Sequence, residues 1–327
     1  MAIPAELIRS NGSIKFMSEA HIPTRASLWR ATPTLSGAVR PPLESRPHGV
    51  RSLGNILEVT ELAHTFGKGR RGQPAHLALD EVSLSARAGE TLCVVGESGS
   101  GKSTLARCVV GLMAPDQGQI AFNGQNLVGA NHKTWQSVRR DIQMVFQDPY
   151  ASLNPRMRIV DLVVEGLVIN KRTSSKQDAR RRAIELLEMV GLHARYAKRY
   201  PHQFSGGQRQ RIAIARALAL RPKLLVCDEP VTSLDVSIRA QIVQLLIDIQ
   251  DQEGLTYLFI THDIALARQI GDRVVVMNQG KVVESGDATE VIDHPTHEYT
   301  RALRAAVPEP PTLGPDDTTQ TYYRTSS

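Results

Sequence analysis

The sequence has few cysteines. Its 327 residues contain three, Cys93, Cys108 and Cys227, and no CxxC pair. An odd number of widely spaced cysteines excludes a disulfide framework, and this spacing does not suit a zinc site. Cys93 and Cys227 lie within apolar runs, where cysteine behaves as a small buried hydrophobic residue. We therefore expect neither disulfides nor a zinc site.

The sequence also lacks a long apolar run. Runs such as Thr91–Gly96 are far shorter than the ~18 residues that a membrane span needs. Glu6 and Arg9 interrupt the apolar stretches near the N-terminus, so we expect no signal peptide. The apolar fraction of 41% is nevertheless enough for a real core. These features predict a folded chain that stays in the cytoplasm and does not cross a bilayer by itself.

The net positive charge is small outside the first 52 residues. The formal net charge is +6, and residues 1–52 hold seven Lys and Arg against three Glu. The remaining body is close to neutral, which argues against a nucleic-acid partner. Residues 1–52 also contain six prolines and no sustained periodicity. We interpret them as a mostly disordered leader, the alternatives being a segment that docks on a partner or an over-long start.

From about Leu53 onward, apolar runs alternate with helical periodicity, which predicts an α/β fold with a largely parallel sheet. The run Ile56–Val59 is typical of an edge strand, and Gly67–Pro74 of a hairpin loop. From Pro308 the chain is rich in Pro, Gly and Thr, and we expect a loose tail. Further predicted strands are Leu79–Ala86, Thr91–Val95, Ile142–Phe146, Leu224–Cys227, Leu255–Thr261, Arg273–Asn278 and Lys281–Glu284, and predicted helices are Lys176–Val190, Gly207–Leu220 and Val236–Gln252.

A glycine-rich motif follows the predicted strand Thr91–Val95 and opens a helix. Its glycines allow consecutive backbone N–H groups to point at phosphates, and the helix adds its positive end. We expect Lys102 to contact the β- and γ-phosphates and the Ser103 hydroxyl to bind Mg²⁺. The alternative is a Gly/Ser-rich turn that binds nothing. The motif has the pattern G-x-x-x-x-G-K-[ST] and comprises Gly96, Glu97, Ser98, Gly99, Ser100, Gly101, Lys102, Ser103 and Thr104.

Two carboxylates end a second apolar run, Leu224–Cys227. Asp228, at the strand tip, is expected to hold Mg²⁺ directly or indirectly. Glu229 can accept a hydrogen bond or a proton from a water that attacks the γ-phosphate. Many strands end in acids that have no such role, so this pair is informative only together with the glycine-rich motif. The two motifs indicate a protein that binds or hydrolyses a nucleoside triphosphate.

A second glycine-rich turn precedes the predicted helix Gly207–Leu220 and places another helix N-terminus for an anion. One nucleotide rarely needs two such cradles from one chain, but two chains placed head to tail could enclose it. At this point the sequence resembles the ATP-binding cassette ATPases. Their LSGGQ signature stands here as Phe204, Ser205, Gly206, Gly207 and Gln208, with Phe in place of Leu.

The resemblance covers residues 53–307. It implies a P-loop NTPase fold with a RecA-like core, an antiparallel β subdomain and a helical subdomain. It also implies a division into the leader 1–52, a nucleotide-binding domain 53–292 with its helical subdomain at about 150–220, and a C-terminal extension with a loose tail at 293–327.

Four further positions take their roles from the resemblance. Gln147 occupies the place of the glutamine that reaches Mg²⁺ and the attacking water and relays contact with the membrane subunit. Ser233–Asp235 matches the D-loop, which crosses the dimer interface. His262 matches the switch histidine that contacts the γ-phosphate, although a histidine after a strand is more often structural. Phe66 is the nearest candidate to stack on adenine, the alternative being a core phenylalanine.

Two segments resemble the ATPases of oligopeptide and dipeptide importers, namely the extended loop Gln147–Pro155 and the C-terminal stretch His294–Leu303. That group has two non-identical ATPase subunits, one of which carries a C-terminal cysteine cluster. Because no cysteine follows Cys227, the chain resembles the other subunit type. The resemblance implies an ATPase that uses ATP and Mg²⁺ at the cytoplasmic face of the inner membrane and energises peptide uptake.

The same resemblance implies protein partners. These are two transmembrane permease subunits, a second ATPase subunit that is expected to be non-identical, and an extracytoplasmic peptide-binding protein reached through the permease. Nickel or glutathione uptake is the alternative within transporters. A soluble cassette ATPase working on ribosomes or DNA is the alternative outside them, which the single cassette and near-neutral body disfavour.

Overall fold

The computed structural model describes residues 54–67 and 75–307, together with the isolated Leu43. Three expectations concern residues outside the described ranges. They are the disordered leader 1–52, most of the loop Gly67–Pro74 and the loose tail from Pro308. The strands are β1 (Asn55–Phe66), β2 (His76–Arg87), β3 (Thr91–Val95), β4 (Gln117–Phe122), β5 (Gln125–Asn126), β6 (Ile142–Val145), β7 (Leu224–Asp228), β8 (Thr256–Thr261), β9 (Arg273–Asn278) and β10 (Lys281–Asp287).

Ten α-helices connect or cover these strands within the described residues. They are α1 (Lys102–Val109), α2 (His132–Asp141), α3 (Pro149–Ser152), α4 (Ile159–Ile169), α5 (Lys176–Met189), α6 (Gly206–Leu218), α7 (Val236–Glu253), α8 (Ile264–Ile270), α9 (Ala288–Asp293) and α10 (Glu298–Ala305). None of them is long and apolar enough to span a membrane.

The strands form two sheets. The larger has the order β10-β9-β3-β8-β7-β6, in which β10 is antiparallel to β9 and the other neighbours are parallel. This confirms the predicted α/β fold with a largely parallel sheet. The smaller sheet is antiparallel, with the order β2-β1-β4-β5.

The prediction of an edge strand at Ile56–Val59 was wrong. These residues belong to β1, which pairs with β2 on one side and with β4 on the other, where Leu57 lies opposite Phe122. β1 is therefore an inner strand of the four-stranded sheet. Its second partner lies more than fifty residues downstream, and such a distant pairing leaves no mark in the local pattern of β1.

Alternate residues of the central strands face two separate cores. In β3, Cys93 and Val95 belong to the core that packs against α4 to α9, whereas Leu92 and Val94 belong to the core shared with α1 and the antiparallel sheet. A strand covered on both faces is apolar at every position, which explains the continuous apolar run. All three cysteines are buried and free, in agreement with the expected absence of disulfides.

Candidate nucleotide-binding and hydrolysis site

The glycine-rich loop 96–104 lies between β3 and α1 and is held closely by neighbouring backbone. Gly101 has a φ of +102°, and a Cβ atom there would lie 2.3 Å from the carbonyl oxygen of Ala78 on β2. The turn after β9 supports the loop from another side, because the Gly280 N–H donates to the Ser100 carbonyl at 3.1 Å. Only glycine fits such a left-handed, crowded position, so the loop curvature is set by this residue.

Lys102 folds back over the loop. Its Nζ donates to the Gly96 carbonyl at 2.8 Å, to the Glu97 carbonyl at 2.6 Å and to Ser100 Oγ at 3.3 Å. The residue as a whole is 4% exposed. Burial lowers the pKa of this ammonium, and nearby carboxylates, with Glu229 first, oppose the shift. A buried cation at the rim of an amide-lined loop is a strong attractor for phosphate oxygens.

Ser103 and Asp228 supply a pair of hard oxygen donors. Ser103 Oγ donates to Asp228 Oδ1 at 2.9 Å. Asp228 is 4% exposed, and burial raises its pKa, against the lowering effect of the Ser103 hydrogen bond. Such oxygens suit Mg²⁺, which usually takes one or two protein ligands and completes its shell with phosphate and water. No group of three or more His, Cys, Asp or Glu within the described residues forms a metal site by itself. The donor set therefore fits an Mg²⁺ ion that arrives with a nucleotide.

Three side chains converge on one carboxylate oxygen of Glu229. Its Oε2 accepts hydrogen bonds from Thr232 Oγ1 at 3.0 Å and from Gln147 Nε2 at 3.1 Å. His262 Nδ1 lies 3.4 Å from the same atom. The side chain of Glu229 is 13% exposed and that of His262 is 48% exposed. The cluster thus positions one carboxylate oxygen in a niche that a solvent molecule can reach.

The topology explains why these residues meet. Gln147 follows β6, Asp228 ends β7 with Glu229 directly after it, and His262 follows β8. The glycine-rich loop follows β3. These four strands are parallel neighbours in the order β3-β8-β7-β6, so their carboxyl ends share one edge of the sheet. Ligand sites of open α/β sheets lie at this edge. The backbone of Glu229 is left-handed, with a φ of +46°. Six other non-glycine residues among those described also have a positive φ, so this conformation does not by itself mark the site.

The second glycine-rich turn lies apart from this cluster. Ser205 caps α6 in a capping box, in which the Gln208 N–H donates to Ser205 Oγ and the Ser205 N–H donates to Gln208 Oε1. Gly207 is buried against α7, since a Cβ atom there would lie 2.3 Å from Ile238 Cγ2. Among the described residues, no hydrogen bond or ion pair joins 205–208 to the Glu229 cluster. Ser205 and Gly206 are exposed, so this helix end faces outward.

Phe66 ends β1 and is 40% exposed, so it is not a core residue. The ring of His64 meets it edge-on, with the centroids 4.8 Å apart. Phe66 pairs with His76, two residues before Ala78, whose carbonyl faces the glycine-rich loop. Two residues of a strand span about 7 Å, so the backbone position that Phe66 faces lies about that far along β2 from the contact with the loop.

Two residues near the site had no assigned role in the sequence. Thr232 binds the central carboxylate, and the Tyr299 hydroxyl accepts a 3.0 Å hydrogen bond from the Glu97 N–H in the loop. Thr232 stands three residues after Glu229, a spacing that could have suggested a local hydrogen bond. Tyr299 is more than 200 residues from its partner, and no local signal points to that contact.

The known proteins that resemble this chain all point to the same family. A profile described as ABC transporter matches residues 79–232. The oligopeptide transport ATP-binding protein OppF of Streptococcus mutans is 48% identical over 255 residues, covering 78% of this chain and 82% of that protein. The dipeptide transport ATP-binding protein DppF of Lactococcus lactis is 46% identical over 270 residues, covering 82% and 86%. OppF of Escherichia coli is 50% identical over 261 residues, covering 78% of each chain.

Solved structures resemble the fold as well. The ATP-binding cassette MJ0796, in a dimeric post-hydrolysis state bound to ADP and Pi, aligns with a TM-score of 0.65 at 32% identity, covering 71% of this chain and 99% of that one. The protein cbiO1 from Clostridium perfringens, part of an ABC transporter complex, aligns with a TM-score of 0.65 at 30% identity, covering 74% and 92%.

Proposed function

The chain belongs to the ABC transporter family of ATP-binding proteins, and from that premise we propose that it energises the import of oligopeptides or dipeptides through separate permease subunits. Members of this family are ATPases coupled to transport. The peptide class is supported by relatives that are 46–50% identical and carry the names of oligopeptide and dipeptide transport proteins. The single observation that carries ATP hydrolysis is the convergence of three side chains on Glu229 Oε2.

The proposed binding step uses the loop Gly96–Thr104. Its backbone N–H groups and the N-terminus of α1 receive the phosphates, and Lys102 turns at least one of its donors from the loop to a phosphate oxygen. Ser103 and Asp228, with Gln147, would hold Mg²⁺, which would supply positive charge against the phosphates. Phe66 stacks on adenine.

The proposed hydrolysis step depends on Glu229. Its Oε2 accepts a hydrogen bond or proton from the water that attacks the γ-phosphate. Gln147 and Thr232 hold this oxygen in place, and His262 lies beside it to contact the γ-phosphate. Positioning and electrostatic stabilisation account for most of the catalysis in phosphoryl transfer, so a rigidly held carboxylate suits this role.

The second half of the nucleotide site is proposed to come from another chain. Ser205, Gly206, Gly207 and Gln208 form an outward-facing helix N-terminus that is separate from the Glu229 cluster of the same chain. Two ATPase subunits placed head to tail would bring this end to the partner's phosphates. Closing of this pair around ATP is the mechanical step, and hydrolysis resets it. We expect the second ATPase subunit to be non-identical.

The remaining partners follow from this role. Two transmembrane permease subunits would contact the chain beside the Gln147 loop at the cytoplasmic face of the cell membrane. An extracytoplasmic peptide-binding protein would deliver substrate to them. In this scheme residues 53–292 form the nucleotide-binding domain, with a helical subdomain at about 150–220, and residues 293–327 form an extension. The scheme includes no nucleic acid.

The test is purification of the full chain from membranes with its partners, followed by reconstitution in liposomes. We expect two permease proteins and a second ATPase to copurify, and ATP to drive accumulation of a labelled tripeptide. The Glu229→Gln complex is the control that keeps the assembly but lacks turnover. Copurification with ribosomal or DNA-repair proteins would contradict transport. Uptake of Ni²⁺ or glutathione in place of peptide would contradict the substrate class alone.

A further inference from the structure

The segment that follows β10 is hydrogen-bonded to the core of the protein. The Asp293 carboxylate at the end of α9 accepts two 2.8 Å hydrogen bonds from Arg268 on α8. The Glu284 carboxylate on β10 accepts hydrogen bonds from the Thr296 N–H and hydroxyl, both at 2.7 Å, and from the His297 N–H at 3.2 Å. The turn between α9 and α10 is thus tied to two core elements, which fixes the start of α10.

This fixed helix start carries Tyr299 to the phosphate loop. Tyr299 lies in the first turn of α10, and its ring is partly buried against the core that contains α8 and α9. Its hydroxyl oxygen accepts the 3.0 Å hydrogen bond from the Glu97 N–H. Burial raises the pKa of the Tyr299 phenol, so the hydroxyl stays protonated at neutral pH.

Tyr299 and Lys102 hold the two edges of one peptide unit. The Glu97 N–H and the Gly96 carbonyl belong to the same planar amide. Tyr299 accepts from its N–H, and Lys102 Nζ donates to its oxygen at 2.8 Å. An ammonium has three donors, and Lys102 directs all three to loop atoms. A phosphate can bind Lys102 only when at least one of these bonds is exchanged, whereas the Tyr299 contact occupies the Glu97 N–H and leaves the other N–H groups of the loop for phosphate.

We propose that Tyr299 is a positioning residue for ATP binding, which holds the 96–97 peptide unit so that the C-terminal segment 293–307 controls the shape of the phosphate loop. The inference rests on the proposed ATP-binding role of this loop. Tyr299 does not contact the nucleotide in this proposal. It keeps the loop curved while Lys102 exchanges its partners, so its loss weakens nucleotide affinity rather than the chemical step.

The test compares two Tyr→Phe variants of the full chain. Tyr299→Phe keeps the ring and removes the hydroxyl that holds Glu97. Tyr257→Phe is the matched control. The buried hydroxyl of Tyr257 donates to the Leu246 carbonyl at 2.8 Å, a hydrogen bond that does not involve the loop. For Tyr299→Phe we expect Kd and KM for ATP to rise about three- to tenfold, with kcat within twofold of the parent value. For Tyr257→Phe we expect a lower Tm and an unchanged Kd.

The outcomes separate this inference from the proposed function. Unchanged Kd and KM in Tyr299→Phe, with or without a lower Tm, would overturn the positioning role while ATP binding by the parent still stands. An equal rise in Kd for both variants would also overturn it, because the effect would then reflect general destabilisation. Failure of the parent itself to bind ATP would instead remove the proposed function.

Discussion

Ser103 and Asp228 are 125 residues apart in the sequence and are joined by a 2.9 Å hydrogen bond between Ser103 Oγ and Asp228 Oδ1. Ser103 lies in the first turn of α1 and Asp228 ends β7, so the bond connects the glycine-rich loop after β3 to the end of a strand two places away in the sheet. Burial raises the pKa of the Asp228 carboxyl, which means that its ionised form is costly in the nucleotide-free protein. A site that is destabilising without its ligand is a common feature of functional residues.

Asp228→Asn should therefore separate stability from activity. The amide oxygen still accepts from Ser103 but carries no charge, so we expect a higher Tm of the nucleotide-free protein at pH 7. A raised folded-state pKa means that the parent loses stability as the pH rises through that pKa, and below the unfolded-state pKa the loss is absent. The Tm difference should thus shrink as the pH falls towards 4.

The same variant should lower the Mg²⁺-dependent ATPase rate by about 100-fold if Asp228 holds Mg²⁺ as proposed. Asp248→Asn on the exposed face of α7 is the control and should change neither property. A Tm that falls at pH 7 would contradict the charge argument.

Glu229→Gln should hydrolyse ATP at least about 100-fold more slowly than the parent and still bind it. The amide keeps the size of the side chain and an oxygen for Thr232, but it cannot accept a proton. Single-turnover hydrolysis and equilibrium binding of ATP would measure the two effects, with the exposed Glu188→Gln as the control. Near-normal turnover would remove Glu229 from the catalytic role.

Lys102→Ala should reduce ATP affinity about 10- to 100-fold, the loss expected when a charged hydrogen-bond donor to phosphate is removed. Lys223→Ala, whose exposed ammonium pairs with Asp141 at 3.1 Å, is the control outside the loop. Isothermal titration with ATP and Mg²⁺ would give the affinities. Equal affinities for the parent and Lys102→Ala would exclude the loop as the phosphate cradle.

Ser205→Ala should destabilise α6 by about 1 kcal/mol through loss of its N-cap and lower the Tm by about 2–4 °C. Ser175→Ala removes an equivalent cap at α5, where Ser175 Oγ accepts from the Asp178 N–H. If the α6 N-terminus completes a partner's site, only Ser205→Ala should also weaken ATP-dependent association with the second ATPase subunit. Equal association of both variants, measured by analytical ultracentrifugation, would contradict the shared site.

The predicted elements that agree with the structure are those with a strong local pattern. The apolar strands β3, β7 and β8 and the helix α5, with its Ser175 cap, occur within two residues of their predicted bounds. The inner position of β1 was not predicted, because it depends on pairing with β4 far along the chain. The strands β4 and β5 and the helix α2 were not predicted either, and they lie in a stretch with weak periodicity.

The residues of the candidate site likewise divide into those that a local motif predicts and those that depend on distant contacts. The glycine-rich loop and the carboxylates at the end of β7 were predicted from their motifs, whereas Gln147 and His262 were predicted from the resemblance to ATP-binding cassette ATPases. Their meeting at Glu229 Oε2 follows from parallel neighbours ending at one edge of the sheet. The contribution of Thr232 and the contact between Tyr299 and Glu97 were not found, because side-chain direction and the return of α10 to the loop are not local properties.

The sequence by itself determined the motifs on which the proposed chemistry rests: a glycine-rich loop, a pair of strand-end carboxylates and a second glycine-rich turn, each written as a short run with its own spacing. The tertiary structure alone decided which oxygen of Glu229 is shared, that Lys102 is bonded to its own loop, and that a helix near residue 299 holds that loop. The physical reason is the distance along the chain over which each feature is specified. Motifs are fixed by residue type along a few positions, whereas contacts between distant segments arise only when the sheet and its covering helices close around a common core.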